Sequence, residues 1–522
     1  MKRLLPVGIQ DFASIREDGF CYVDKTERIH QLITGSGRAF FLSRPRRFGK
    51  SMLCSTLEAV FEGRRELFNG LAIDGLDWGW KKHPVIRIDM NSGDYTEGTT
   101  VLKAVLRDAL ENAAIGMGLK LRGEIEPLQF ANLIRDAHRK YGERVAVIID
   151  EYDKPMLDTI GKLEIHGEMR AQLKGFYGIL KPSDRHLKFV FLTGVTKFSH
   201  VSIFSDLNHL TDLTLSPRYA DLCGITQEEL ETCFVPEIES VLEETGLSRG
   251  DYLEKLRRYY NGYRFSEKPL KVYNPFGLLQ HFANEGKFLP YWYETGTPTF
   301  LIKLIVEQKL GILNLCDMQV GDRDFRRYDI ENMGVQPLLY QSGYLTIKDY
   351  DEKSRLYTLD FPNVEVHSCF AGSLTDQYLR SSGETSDGLN TRLLQALLKG
   401  DVDGAMEALR PFFASIPYDI IKDSENYYQT AVHLIFFILG FNCRSEVRIA
   451  AGRIDTLVET EDYVYCFEFK LDRPVEEALA QIDGKEYLLP WTGSGKTLFK
   501  VGVSLDTEKR NIGGWKSLES RQ

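Results

Sequence analysis

The stretch that decides the fold is Ala39-Phe-Phe-Leu-Ser-Arg-Pro-Arg-Arg-Phe-Gly-Lys-Ser51. Its apolar beginning, Ala39 to Leu42, predicts a buried strand, and Met52 to Phe61 predicts a helix. Between them, Gly49-Lys50-Ser51 ends a loop in the strand–loop–helix setting that a phosphate-binding loop requires. Backbone N–H groups and a helix N-terminus favour a polyanion, so the pattern predicts a nucleotide site.

One position departs from the general pattern, because Arg44 stands five residues before Gly49, where a glycine is usual. Lys50 is expected to reach the β- and γ-phosphates, and Ser51 to hold Mg²⁺. Arg47, Phe48 and Gly49 complete the predicted ATP-binding loop. On these residues alone, a helix start with a basic residue remains an alternative.

Two later strands supply polar residues in the order that such a site needs. Arg144-Val-Ala-Val-Ile-Ile-Asp-Glu151 predicts a buried strand that ends in two carboxylates. Asp150 is expected to bind Mg²⁺, and Glu151 to position or deprotonate the attacking water. Thr193, at the end of an apolar run, is a candidate sensor of the γ-phosphate. A strand that ends in surface acids, or simply in threonine, is the alternative.

Strand-like and helix-like segments alternate over residues 1–225. This alternation predicts an α/β core with a mostly parallel sheet covered by helices. Val101–Gly116 and Ile165–Lys181 are among the predicted helices. The predicted strands are Ala39–Ser43, Val85–Met90, Val145–Asp150 and Leu187–Thr193.

The rest of the chain divides into three predicted parts. Residues 226–313 turn helical after a capping-box start at Thr226 and Glu229, which predicts a helical lid. Residues 314–415 form a mixed α+β segment, in which a helix at Val335–Tyr340 precedes a hairpin; a winged-helix module and a plain connector both fit. Residues 416–522 predict a compact α/β domain, with a helix from Asn426 to Phe441 followed by strands.

The bulk composition limits the class of protein. The chain has 522 residues, a net charge of −10 and 43% hydrophobic residues, which is ordinary for a globular protein of roughly three domains. The acidic charge gives no overall signature of a nucleic-acid binder. Eight scattered cysteines without a C-x-x-C pair, and a longest apolar run (Ala431 to Phe441) too short for a bilayer, predict a cytoplasmic protein without a membrane span.

Residues 4 to about 290 resemble the AAA-ATPase-like family that is often found in bacterial genomes beside a nuclease domain. The resemblance implies ATP binding at Lys50 and Ser51, with Asp150 and Glu151 as the acidic pair. It makes Arg44 part of that group's own loop pattern, and Arg264 a candidate lid residue without an assigned role. The matching strings are Leu5-Pro6-Val-Gly-Ile9, Tyr22-Val-Asp-Lys-Thr26, Arg44-Pro-Arg-Arg-Phe-Gly-Lys-Ser51, Asp150-Glu-Tyr-Asp-Lys-Pro155, Leu192-Thr-Gly-Val195, Tyr260-Asn-Gly-Tyr-Arg-Phe265 and Tyr273-Asn-Pro275.

A second group of polar residues lies near the C-terminus. Asp455 follows Gly452-Arg-Ile, and Glu468 and Lys470 lie in the apolar strand Tyr463-Val-Tyr-Cys-Phe-Glu-Phe-Lys470. Glu468 and Lys470 are two apart, so they share a face, and adjacent strands would bring Asp455 close. Two carboxylates fit Mg²⁺ or Mn²⁺, and Lys470 could orient water or offset phosphate charge. A structural ion pair is the alternative.

Residues from about 421 to 504 resemble the PD-(D/E)xK nuclease superfamily. The resemblance implies a catalytic set of Asp455, Glu468 and Lys470, with Glu446 and Gln481 as accessory residues. Glu425, before the predicted long helix, also fits the family's helix-borne acid. The motif is complete in this sequence, so the resemblance implies a metal-dependent nuclease.

Two functions follow from these patterns. The first is an ATPase with a metal-dependent nuclease that ATP controls, acting on nucleic acid, with DNA preferred over RNA. The second is a nucleotide-switched binding or signalling module whose C-terminal domain holds a partner without cutting. Formation of a homo-oligomer is left open by the sequence. Thr492-Gly-Ser-Gly-Lys-Thr497 mimics a phosphate loop, but no acidic strand follows it, so we predict a turn there.

Overall fold

A computed structural model describes residues 3–197, 210–294, 301–302, 305, 318–321, 325, 335–379, 386–415, 442–449, 452–509 and 511–520. The chain packs as two compact units. The first comprises Met1–Gly296 and Met318–Asn363, and the second comprises Thr297–Asp317 and Val364–Gln522.

A parallel sheet forms the centre of the first unit. Its strands are β1 (Ala39–Ser43), β2 (Val85–Asp89), β3 (Val145–Asp150), β4 (Leu187–Gly194) and β5 (Thr211–Asp212), in the order β2-β3-β4-β1-β5. All neighbouring pairs are parallel, so their carboxyl ends meet at one edge of the sheet. The predicted α/β fold class is therefore confirmed, and the four predicted strands agree to within one residue at each end.

Helices cover both faces of this sheet, which is why β3 is apolar along its whole length. Val145, Val147 and Ile149 of β3 belong to a core shared with four helices. A further helix, Lys50–Phe61, also contacts β3. The helices of this region are α1 (Phe12–Glu17), α2 (Thr26–Thr34), α3 (Lys50–Phe61), α4 (Thr99–Gly116), α5 (Glu126–Tyr141), α6 (Lys154–Asp158) and α7 (Leu163–Gly178).

The lid follows the sheet and is mainly helical, as predicted. The capping box forms, since Thr226 Oγ1 accepts from the Glu229 N–H at 3.2 Å and the Glu229 carboxylate accepts from the Thr226 N–H at 2.8 Å. The lid also contains a small sheet that the sequence pattern did not predict. Its elements are β6 (Ile225–Thr226), α8 (Gln227–Cys233), α9 (Val235–Thr245), α10 (Arg249–Tyr260), β7 (Tyr263–Arg264), β8 (Lys271–Tyr273), α11 (Pro275–Ala283) and α12 (Tyr291–Glu294).

The predicted hairpin is present and packs on the lid. It consists of β10 (Thr346–Asp351) and β11 (Leu356–Asp360), preceded by α13 (Val335–Ser342), and β11 also pairs with β9 (Met318–Gly321). The Arg264 N–H donates to Thr346 Oγ1 at 2.8 Å, and Asn363 Nδ2 donates to the Asn261 carbonyl at 2.9 Å. The hairpin thus groups with the lid, whereas the predicted 314–415 segment joined it to later helices. Its winged-helix interpretation remains a prediction.

The second unit contains a mixed sheet between helices. The strand order is β12-β13-β14-β15-β16, and only the pair β14 and β15 is parallel among these described strands. The predicted helix from 426 to 441 lies outside the described residues. The elements are α14 (Val364–Leu379), α15 (Ser386–Leu398), α16 (Val402–Ser415), β12 (Asn442–Ile449), β13 (Gly452–Glu459), β14 (Tyr463–Leu471), α17 (Val475–Gly484), β15 (Thr497–Asp506) and β16 (Asn511–Ser520).

Residues 492–496 form the predicted turn before β15. Gly493 and Gly495 have φ angles of 91° and 76°, the left-handed region that glycine adopts readily. Lys496 Nζ donates to Glu459 Oε1 and to the Thr460 carbonyl, both at 2.7 Å. The lysine that mimics a phosphate-loop lysine therefore ties this turn to the end of β13.

Candidate functional site

The loop between β1 and α3 has the shape of an anion cradle. Gly49 precedes α3 with a φ of 83°, and among the described residues nothing lies within 4 Å of where its Cβ would be. Lys50 is buried, and its Nζ donates to the Pro45 carbonyl at 3.0 Å, so the ammonium folds back over the loop. The start of α3 thus borders open space beside a lysine, which is a setting that suits an anion.

Asp150 lies at the carboxyl end of β3, next to Ser51. The Ser51 hydroxyl is close enough to the Asp150 carboxyl group to lower its pKa. Asp150 Oδ1 also accepts from the Glu151 N–H at 3.0 Å, while its Oδ2 is buried and has no hydrogen-bond partner among the described residues. Burial raises the pKa of Asp150, and the Ser51 hydroxyl and the Lys50 charge oppose that rise. A buried carboxylate oxygen beside a hydroxyl suits Mg²⁺.

Glu151 turns the chain out of the strand in an unusual conformation. Its φ is 50°, a region that a non-glycine residue enters at a cost and that often marks functional sites. Burial raises the pKa of its carboxyl group, Lys50 lowers it and Asp150 raises it further. Glu151 also lines the cavity beside the loop.

A cavity of about 470 Å³ lies over the loop and the strand ends. This volume is within the usual range of ligand pockets, ~300–1,000 Å³. One wall belongs to the loop and to the strand ends, and the other belongs to α11 of the lid and to the N-terminal segment. The cavity lining includes Arg46, Arg47, Gly49, Lys50, Ser51, Glu151, Lys154 and Phe276.

Arg44 is directed away from this cavity. Its guanidinium donates to the carbonyl oxygens of Ser43 (2.8 Å), Thr214 (2.9 Å) and Tyr219 (3.1 Å), and lies 4.2 Å from the centre of the Phe265 ring. Arg44 is only 1% exposed. It therefore joins β1 to the segment after β5 and to the lid, and has no contact with the space where phosphate would lie.

The aromatic residue of the loop also packs inward. Phe48 meets the rings of Tyr263 and Phe265 edge-on, with centroids 4.8 and 5.3 Å apart. Only its backbone can therefore border a phosphate. Arg47 has a φ of 65° and lies 4.4 Å from the Phe276 ring, at the cavity wall.

Thr193 is buried on β4, and its hydroxyl donates to the Leu42 carbonyl at 2.8 Å. It is not among the residues that line the cavity. The segment after it is held by Asp153, whose carboxylate accepts from the N–H of Val195 and from the N–H and hydroxyl of Thr196. We did not predict this role for Asp153, although it lies in the same acidic string as Asp150.

The second group of predicted residues meets on β13 and β14. The paired register ends with Thr456 opposite Phe467, and Asp455 and Glu468 are the next residues beyond that pair on the two strands. The Phe469 N–H donates to Asp455 Oδ2 at 3.0 Å, and Lys470 Nζ donates to Glu468 Oε1 at 3.0 Å. Glu468 is 1% exposed. The structure thus brings two carboxylates and an ammonium group together inside an apolar strand pair.

Alternation along β14 explains the neighbours of this group. Val464 and Cys466 pack with α17, so Glu468 faces the same side. Gln481 of α17 donates to the Tyr487 hydroxyl at 3.2 Å. Burial raises the pKa of Tyr487, the Gln481 hydrogen bond lowers it, and Glu468 and Asp455 raise it again. Sequence reasoning assigned no role to Tyr487, which lies beside the carboxylates.

Asp455 and Glu468 are the acidic side chains of this group that the structure describes. Among the described residues, no cluster of three His, Cys, Asp or Glu side chains is placed to hold a metal. Glu446 lies on β12, next to β13, but its side chain is outside the described residues. The two oxygen donors suit Mg²⁺ or Mn²⁺.

Comparison with known proteins identifies both parts. Residues 6–204 match the family described as "Predicted AAA-ATPase", and residues 423–515 match the PD-(D/E)XK nuclease superfamily. The chain is also 37% identical over 525 residues to an "Uncharacterized protein in vnfD 5'region" of Azotobacter chroococcum mcd 1, with 98% of each chain covered. The chain belongs to the AAA-ATPase-like family with a C-terminal PD-(D/E)XK nuclease domain.

The predicted residues of both sites fall within the matched domains. The loop from Arg44 to Ser51 and the Asp150–Glu151 pair lie in the AAA-ATPase-like domain, and Asp455, Glu468 and Lys470 lie in the nuclease domain. These domains generally use a nucleotide and a divalent metal. Within the described part of the chain, no helix combines the length and the apolar character needed to cross a membrane.

Proposed function

We propose that this protein binds and hydrolyses ATP, and that it is a metal-dependent nuclease whose cutting is controlled by ATP. The observation that carries the proposal is the group of Asp455, buried Glu468 and Lys470 in a chain whose other unit places Lys50, Ser51 and Glu151 at the wall of a cavity. We propose DNA ahead of RNA as the substrate.

In the ATPase half, Lys50 and the first N–H groups of α3 bind the phosphates. Ser51 and Asp150 would hold Mg²⁺, and Asp150 Oδ2, which is buried and has no hydrogen-bond partner among the described residues, supports that assignment. A bound Mg²⁺ offsets the charge on the phosphates. The Glu151 carboxylate accepts a proton from the attacking water, for which its position at the cavity wall is suitable.

In the nuclease half, Asp455 and Glu468 would hold Mg²⁺, with Mn²⁺ as an alternative. The ion supplies a Lewis acid that polarises the phosphodiester. Lys470 holds its ammonium beside Glu468 and offsets negative charge that develops on the phosphate. Gln481 orients water or phosphate from α17, and Glu446 is an accessory acid.

The test compares wild-type protein with Lys50→Ala and Asp455→Ala. Each is incubated with single- and double-stranded DNA and RNA, with and without ATP, Mg²⁺ and Mn²⁺. We expect Asp455→Ala to lose cutting but keep ATP hydrolysis, and Lys50→Ala to lose hydrolysis and the effect of ATP on cutting. A wild-type protein that cuts none of these substrates would contradict the nuclease assignment.

One observation favours the second candidate, a nucleotide-switched module that binds without cutting. Asp455 Oδ2 and Glu468 Oε1 already accept from protein donors, as they would in a purely structural network. In that case Lys470→Ala would leave the cellular activity unchanged, whereas Lys50→Ala would abolish it.

A further inference from the structure

The edge of the parallel sheet opposite the ATP cavity carries a row of cations. Because β1 to β4 are parallel, the residues that precede them gather at this one edge. Arg38 precedes β1, Lys81 and Lys82 lie shortly before β2, and Arg144 precedes β3. Arg185 and Lys188 stand at the start of β4, while Arg135 and Arg139 lie in the last turns of α5, whose end leads into β3. We call this surface the basic edge.

The members of the basic edge are close enough to repel one another. After burial, the charges that lower the pKa of His186 are those of Arg185, His138, Arg135 and Arg139. Burial and then Arg144 and Arg38 lower the pKa of Lys188. Like charges held together destabilise a fold unless an anion lies among them.

Acidic side chains offset only part of this charge. Glu143 pairs with Lys81, and Asp184 lies 3.7 Å from Arg38. Asp136 lies 3.9 Å from Arg139 and is shared with Arg122. Glu62 interacts with Lys82. Arg135, Arg139 and Arg185 are exposed, so their charged ends are accessible to a ligand from solvent.

The hydrogen bond between two histidines fixes the middle of the surface. His138 Nδ1 and His186 Nδ1 are 2.8 Å apart, so one imidazole donates to the other. Arg185 Nε donates to His186 Nε2 at 3.0 Å, which leaves the rest of that guanidinium for a ligand. The bond joins the end of α5 to the start of β4 and holds Arg139 and Arg185 on the same surface.

We infer that the basic edge binds the phosphate backbone of nucleic acid. The row from β2 to β1 crosses three strand spacings, roughly 15 Å, and a duplex presents one charge per ~1.7 Å of its axis. The chain has a net charge of −10, so its overall composition does not explain a positive surface of this kind, and a bound anion would. The identity of the polyanion rests on the proposed function, because the same chain carries a nuclease domain.

The test measures binding without cutting. Fluorescence anisotropy of a labelled 30-base-pair duplex is recorded in EDTA for wild-type protein and for the triple variant Arg135→Gln, Arg139→Gln, Arg185→Gln. A matched variant, Arg249→Gln, Arg258→Gln, Lys271→Gln, removes the same charge from exposed lid positions. Melting curves and ATP binding of both variants establish that they fold.

We expect the basic-edge variant to bind at least about tenfold more weakly at 0.1 M salt, with the slope of log K against log salt reduced by about 2 to 3. The lid variant should bind like wild type. Equal binding by all three proteins would overturn the inference. The inference would also be overturned if the basic-edge variant kept its binding to the duplex but lost binding to phosphatidylserine vesicles, because the surface would then fit a membrane.

The outcome is separate from that of the nuclease proposal. Duplex binding that depends on the basic edge, together with no cutting in Mg²⁺ or Mn²⁺, would remove the nuclease function and keep this surface. If the protein cuts nucleic acid but the basic-edge variant binds the duplex as wild type does, the nuclease proposal would stand and the inference about this surface would fail.

Discussion

Arg44 supports the loop between β1 and α3 from the protein interior and is not among the residues that line the cavity. Its guanidinium satisfies three backbone carbonyls in the interior and covers the Phe265 ring. A buried cation that is hydrogen-bonded in this way is costly to remove, because its partners are left unsatisfied. The arginine therefore replaces the usual glycine for a structural reason.

Arg44→Gly, which restores the general loop pattern, should destabilise this protein. We expect a loss of about 3 kcal/mol or more in the free energy of unfolding, from the orphaned carbonyls and the cavity left behind. Arg46→Gly makes the same change at an exposed position of the same loop and should cost ~1 kcal/mol. Thermal and urea unfolding measure both, and equal stability of the two variants would contradict the anchor role.

Glu151→Gln should separate ATP binding from ATP hydrolysis. The amide keeps the size of the side chain but cannot take a proton, so turnover should fall about a hundredfold or more, with ATP affinity nearly unchanged. Since burial raises the pKa of Glu151, wild-type turnover should decline on acidification at a higher pH than an ordinary glutamate would give. Steady-state hydrolysis from pH 5 to 8 tests this; a variant that retains wild-type turnover rules out Glu151 as the base.

His281 should make the lid sensitive to acid. Its Nδ1 donates to the Lys287 carbonyl and its Nε2 accepts from the Tyr252 hydroxyl, so the folded state holds a neutral ring. Burial lowers the pKa of His281 to about 4 from its usual 6.5. The unfolded chain therefore takes up a proton first, and stability is lost as pH falls from 6.5 towards 4, on the order of 3 kcal/mol in all.

Unfolding between pH 7 and pH 4.5 measures this effect. His281→Gln should be less stable than wild type at pH 7 but should lose less stability on acidification. His30→Gln, at a half-buried position outside the lid, serves as the control and should follow the wild-type curve. Parallel curves for wild type and His281→Gln would contradict the prediction.

At the scale of elements, the phosphate loop is fastened to the lid. Phe48 packs on Tyr263 and Phe265, and Trp292 Nε1 donates to the Arg46 carbonyl at 3.0 Å. A Cβ on Gly343 would come within 2.7 Å of Pro45, so the start of the hairpin segment also touches the loop. The shape of the cradle therefore depends on elements more than 200 residues away in the sequence.

Phe265→Ala should weaken ATP binding although Phe265 is not among the residues that line the cavity. Its loss frees both Phe48 and Arg44, so the cradle is no longer preorganised, and we expect about a tenfold loss of ATP affinity. Phe288→Ala removes a lid aromatic that packs on Tyr260 and His281 instead, and should reduce stability without changing affinity. Titration calorimetry distinguishes them, and equal affinities would argue against the coupling.

These contacts also mark the limit of what the sequence could predict. Apolar runs such as Val145–Asp150 predicted the central strands well, because a strand that is buried on both faces is apolar along nearly its whole length. The two-residue strands β6 and β7 carry no periodicity, and β16 contains Gly513 and Gly514, so all three were missed. The position of the Arg44 side chain depends on Thr214 and Phe265, and no local sequence pattern shows that these residues lie close to it.

The grouping of polar residues at the two candidate sites was predictable for a different reason. In each, charged residues interrupt or end an apolar strand, and strand alternation or parallel order then places them together. Asp455, Glu468 and Lys470 meet as the alternation implied. Tyr487 was missed because its approach to the carboxylates requires the turn after α17, and Thr193 hydrogen-bonds to β1 through a contact that its own strand does not reveal.

At the scale of the whole molecule, the two sites are built on separate hydrophobic cores. The loop and Asp150 belong to the first unit, and the carboxylates of β13 and β14 belong to the second. The described residues of each site come from one unit alone. A substitution that inactivates one site should therefore leave the other site folded. If the activity of the other site still changes, the two sites are functionally coupled.

Lys470→Ala is the substitution that best tests this separation. If Lys470 offsets charge on the reacting phosphate, cutting should fall about a hundredfold or more. ATP hydrolysis should not change. Lys496→Ala removes another lysine of the second unit, which pairs with Glu459 at 2.7 Å, and should retain both activities. Cutting and hydrolysis are measured on the same preparations, and unchanged cutting by Lys470→Ala would make its pairing with Glu468 purely structural.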